Sequence, residues 1–89
     1  MQDEDLPLLS QTPPGLYRHY KGGMYAVLAT TRHSESLEPM TLYRALYGAH
    51  GLWVRPAAMF GEMVLWEGVK QSRFTRIGDL PAGALDLAS

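Results

Sequence analysis

Between Gly15 and Ile77 the apolar residues follow the period of two that a pleated strand imposes, and no stretch keeps the 3.6-residue period of an ordinary helix. Gly15–Tyr20 reads as a first short strand, closed by the turn signal Lys21-Gly22-Gly23. Met24–Arg32 reads as a second, longer strand. Its apolar run is almost continuous, the pattern of a strand covered on both faces for part of its length. The polar stretch Arg32–Pro39 is too rich in turn formers to continue a sheet and predicts a loop. Met40–Tyr47 and Leu52–Arg55 then form a hairpin around Gly48-Ala49-His50-Gly51, whose glycines accept positive φ without steric cost. Alternation sets Thr41, Tyr43, Ala45 and Tyr47 against Leu42, Arg44 and Leu46, and Leu52 and Val54 against Trp53 and Arg55.

Pro56 cannot donate to a ladder, so the fourth strand stops there and Pro56–Phe60 predicts a single 3₁₀ or helical turn. Glu62–Glu67 reads as a strand, Gly68–Gln71 as a turn, and Arg73–Ile77 as a last strand with Phe74 as core plug. Five to six short antiparallel strands with one helical turn predict an all-β domain. A flat sheet of that size leaves two edges unpaired, and closure into a small SH3-like barrel removes them. With 89 residues the chain supports one small core. The barrel is expected over residues 15–77, between a flexible acidic arm (1–14) that carries Pro13-Pro14 and a flexible tail (78–89) rich in Gly, Pro and Ala.

Gly15-x-Tyr17-Arg18-His19-Tyr20-Lys21-Gly22, Tyr25-x-Val27-Leu28, Arg32-His33-Ser34-Glu35, Tyr43–Gly48, Gly51–Pro56 and Met59-Phe60 together resemble a bacterial family known only as domain of unknown function 1653. The likeness runs over roughly residues 15 to 77. It implies a compact SH3-like barrel that stands alone as a small protein, and it supplies no activity. Ser72 departs from it, standing where the family usually has a proline before Arg-Phe.

The net charge of -1 conceals an asymmetry: all eight Lys and Arg lie within residues 15–76, beside only Glu35, Glu38, Glu62 and Glu67, so this part of the chain carries a net +4. Arginines interleaved with rings supply forked donors beside a stacking platform, the combination that binds a phosphate, a carboxylate or a stacked base. The expected ligand-binding set is Arg18, His19, Tyr43, Arg44, Trp53 and Arg55. The competing expectation is that each Arg stacks on a ring or pairs with Glu35, Glu38 or Glu62 and merely holds the sheet.

Catalysis has one weak foothold: His19 or His33 with Glu35 as general acid and base, and Ser34 as nucleophile. Neighbouring residues on an extended chain point apart, and no glycine elbow accompanies the serine. The absence of Cys removes thiolate ligands and nucleophiles and suits a reducing cytoplasm. His19, His33 and His50 lack zinc-site spacing, Lys21-Gly22-Gly23 is too short for a phosphate loop, and no apolar run reaches bilayer length, so no metal, cofactor or membrane partner is expected. The sequence therefore favours a cytoplasmic, non-catalytic binding module for an anionic or aromatic ligand: nucleic acid, nucleotide or acidic peptide. The alternatives are a small His/Glu hydrolase or transferase, and a homodimer or subunit contact.

Overall fold

The computed structural model describes residues 11–84. The elements run β1 (Gly15–His19), β2 (Met24–Arg32), β3 (Pro39–Ala45), β4 (Leu52–Pro56), α1 (Ala57–Phe60), β5 (Met63–Trp66), β6 (Val69–Ser72) and β7 (Phe74–Gly78). Five strands form an antiparallel sheet in the order β4-β3-β2-β1-β7, and β5 and β6 pair only with each other. The all-β class is as expected, with seven strands rather than five or six. Among the described residues no pairing joins the edges β4 and β7, so the hydrogen-bonded ladder is open.

Two local devices account for the differences from the expected elements. Tyr47 falls outside β3: the Leu46 amide still donates to Met24 O, and the chain then turns through Gly48 and His50, both at positive φ. In place of the expected Gly68–Gln71 turn, Val69–Ser72 forms β6. Glu67 (φ 50°) and Gly68 (φ 78°) make a two-residue turn between the paired Trp66 and Val69, with both positions left-handed as a type I′ hairpin turn requires.

The large sheet is covered on both faces. On one, Tyr17, Val27, Tyr43, Phe60 and Phe74 form the core with Tyr25 packed against them. α1 drops Phe60 onto this face, where its ring lies parallel to Phe74 at 4.1 Å and meets Tyr17 and Tyr43 edge-on. On the other face Ala26, Leu28 and Ala84 are buried with Leu42, Leu46 and Leu80 against them. β2 contributes Tyr25 and Val27 to the first face and Ala26 and Leu28 to the second, which explains its long apolar run, and a bulge follows between Val27 and Ala29.

The described parts of both flanking segments lie against the sheet. Thr12 donates its amide to Thr30 Oγ1 and shares a hydroxyl bond with Thr41, and the Pro13 carbonyl accepts from the Tyr17 hydroxyl. Leu80 and Ala84, which composition assigns to the tail, cover the second face. The rest of the expected arm and tail, residues 1–10 and 85–89, lies outside the described residues.

Candidate functional site

The register of the central hairpin decides which side chains meet. Tyr43 pairs with Trp53, Thr41 with Arg55, and Arg44 with Leu52. Directly opposed residues share a face, so Tyr43, Trp53 and Arg55 point toward the aromatic core and Arg44 points away from it. His19 joins the first group, with its ring 5.0 Å from Phe74 and 6.3 Å from Tyr25. The expected ligand set thus divides. His19, Tyr43, Trp53 and Arg55 share one face, with only Tyr43 and Trp53 lining the cleft described below, whereas Arg18 and Arg44 belong to the opposite face. Arg18 is exposed there, and Arg44 is buried, donating from Nε to Ala84 O and from Nη1 to His50 O. Its role there is to tie the hairpin loop to residue 84.

A cleft of about 270 Å³ opens on the aromatic face between Tyr25, Tyr43, Tyr47 and Trp53, with Ala45 and the loop backbone at Gly48, Ala49 and Gly51 completing its wall. Trp53 and Tyr47 are more than half exposed at its rim. Tyr25 meets Tyr43 and Tyr47 edge-on at 5.5 and 5.6 Å, and its hydroxyl bonds that of Tyr47 at 2.7 Å. Burial, followed by the Tyr47 hydrogen bond, pushes the Tyr25 hydroxyl up to about 12, so it stays neutral at physiological pH. No carboxylate lines the cleft. A second cavity, of about 250 Å³ beside Thr12, Pro39 and Ala57, contains none of the expected site residues.

Three further candidate groups, Arg55, Lys21 and His19, stand outside the cleft lining. Arg55 is half-buried, with its guanidinium 6.0 Å from the Phe74 centroid and its Nε buried without a hydrogen-bond partner. Lys21 Nζ lies 5.2 Å from the Trp66 ring and 5.8 Å from that of Tyr20. Burial, then the charges of Arg73, Lys21 and Arg55, holds His19 below the ordinary imidazole value of 6.5. Its Nδ1 accepts the Lys21 amide at 3.1 Å, so the neutral ring carries its proton on Nε2.

The acid–base candidates occupy other positions. His33 lies in the β2–β3 loop, where its Nδ1 accepts the amides of Glu35 and Ser36, the arrangement of a turn cap. β2 separates this loop from His19, which adjoins the strand's opposite end. Among the described residues no cluster of three or more potential metal ligands forms. Sequence reasoning missed Tyr25 and Tyr47 as site residues. Tyr25 reads as one apolar residue within a long strand, and only the turn after Ala45 brings Tyr47 over it.

No curated protein matches the chain. It is similar to a crystal structure of a DUF1653 protein from Bordetella bronchiseptica, at 33% identity and a TM-score of 0.72 over 79% of this chain and 92% of that one. The model of the family described as "protein of unknown function (DUF1653)" matches residues 15–76. Shared sequence and shared fold agree, and the chain belongs to the DUF1653 family.

Proposed function

We propose that the protein is a cytoplasmic, non-catalytic binding module whose aromatic cleft takes a flat, anionic ligand, with a nucleotide or an exposed nucleic-acid base as the ligand class. The observation that carries this reading is the cleft itself: four rings without a lining carboxylate, two of them open to solvent. An aromatic cage can also attract a cation. Here Arg55 stands two residues from Trp53 on the same face, so the local field favours neutral or negative guests. The cavity is slightly smaller than the roughly 300–1,000 Å³ of sites for drug-sized ligands, which suits a single ring. The cytoplasmic placement rests on the absence of cysteine, and no helix among the described residues is long and apolar enough to cross a membrane.

The test is an NMR titration with mononucleotides, short RNA and DNA, and acidic peptides. A stacked base contributes about 1–3 kcal/mol, so Trp53→Ala should weaken binding of the nucleotide or nucleic acid by roughly 5- to 150-fold. Indole signals of Trp53 that stay still through every titration would refute the proposal.

A further inference from the structure

We propose that Arg55, with His19 against the same Phe74 ring, is the anion-binding end of the aromatic cleft, so that the ligand is an aromatic ring joined to a phosphate. This rests on the reading of the cleft given above and narrows its ligand class. The first ground is how the arginines spend their donors. Arg32 donates to Leu37 O, Arg44 to Ala84 O and His50 O, Arg73 to the Glu62 carboxylate, and Arg76 to Pro14 O and Asp79. Arg18 is exposed to water. Arg55 alone among the described arginines is drawn partly out of water while making no hydrogen bond or ion pair with another described residue; its Nε is wholly covered, as is that of Arg73, whose Nη2 is nonetheless satisfied by Glu62. A desolvated guanidinium without an acceptor is unfavourable. The Phe74 ring at 6.0 Å lies at the outer limit of cation–π attraction and accepts none of the N–H groups, so it does not offset that cost.

The second ground is position. Arg55 follows Trp53 by two residues on one strand face and acts electrostatically on Tyr25, a wall of the cleft. The third is the company it keeps. The His19 ring lies 5.0 Å from Phe74, the ring that the Arg55 guanidinium faces at 6.0 Å, while the Glu62 carboxylate is engaged by Arg73 at 2.9 Å. Arg55 therefore makes no ion pair with a described carboxylate, and the His19 Nε2–H adds a neutral donor. The forked guanidinium and an imidazole N–H together match a dianionic phosphate with three terminal oxygens better than a carboxylate with two.

The experiment titrates the full-length protein with AMP, adenosine and inorganic phosphate while following the Arg55 Nε–Hε and Trp53 indole NMR signals. AMP should bind about 10- to 150-fold more tightly than adenosine, the range of one charge-assisted contact, and should move both signals. Phosphate alone should move Arg55 and leave Trp53 in place. Arg55→Met should bring AMP down to the affinity of adenosine, and Arg55→Lys should keep part of the difference. Equal binding of AMP and adenosine, with Trp53 shifting and Arg55 silent, overturns the anion end and leaves the aromatic cleft standing. If neither compound moves Trp53, both readings fall. The AMP-to-adenosine ratio is measured on the unaltered protein, so the result does not depend on a variant folding.

Discussion

His19 concentrates the physical conflict of the site in one side chain. Its ring is partly desolvated against Phe74 and Tyr25, and three cations bear on it, so the charged form is disfavoured in the folded protein. The unfolded chain has no such penalty and takes up the proton near pH 6.5. Between the folded value and 6.5 the unfolded state therefore binds more protons, and stability falls as the pH drops through that window. Urea denaturation at pH 7.5, 6.5 and 5.5 should show the unaltered protein losing stability relative to His19→Gln on acidification; parallel curves would refute this. The sequence shows that His19 alternates onto the face of Tyr17, but not that Arg55 and Arg73 converge on it, because both are brought there by pairings far along the chain. Arg44 and Arg55 make the same point about register. Alternation puts Arg44 opposite Tyr43 within β3, and only the Tyr43–Trp53 pairing shows that Arg55, not Arg44, shares the ring-bearing face.

At the scale of elements, α1 does more than its four residues suggest. Pro56 ends β4, the chain makes one turn, and the 1% exposed Phe60 is placed between Tyr17, Tyr43 and Phe74. Deleting that ring leaves a void among aromatic neighbours that cannot collapse into it, so Phe60→Ala should cost about 3–5 kcal/mol, measured by chemical denaturation. Small domains have roughly 5–15 kcal/mol in total, so this variant should stand near the edge of folding, and a loss below about 1 kcal/mol would show that the turn is not a core element. The turn was legible because proline and the following apolar residues announce it. β6 was not legible: Val69-Lys70-Gln71-Ser72 has little strand composition, and the turn before it places Glu67, not glycine, in the first left-handed position. β6 pairs only with β5, and among the described residues no strand pairs with the free edge of β4, along which Leu52, Trp53 and Val54 are exposed.

At the scale of the molecule, the described residues form a five-stranded sheet with two unlike covers, rings on the cleft face and a chain segment after Gly78 on the other, beside the separate β5–β6 hairpin. Composition could not reveal the second cover, since Gly, Pro and Ala carry no period, and Leu80 and Ala84 gain meaning only from Ala26, Leu28, Leu42 and Leu46 beneath them. Arg44 links the covers, reaching Ala84 O on one side and the His50 carbonyl of the cleft-forming loop on the other. Truncation after Gly78 should uncover these apolar residues and remove one acceptor from a buried guanidinium. Burying a leucine contributes about 1.5–3 kcal/mol and an orphaned buried donor costs about 1–3 kcal/mol, so with Leu80 only partly buried the truncated chain should lose about 2–4 kcal/mol in denaturant titration. Phe60, Phe74, Tyr25 and Trp53 are untouched by the cut, so a truncated protein held below its melting temperature should keep its aromatic NMR contacts while the resonances of Leu28 and Leu42 move. Unchanged stability would mean that the segment merely rests on the sheet, and loss of the aromatic contacts together with the aliphatic ones would mean that the two covers fold as one unit through Arg44.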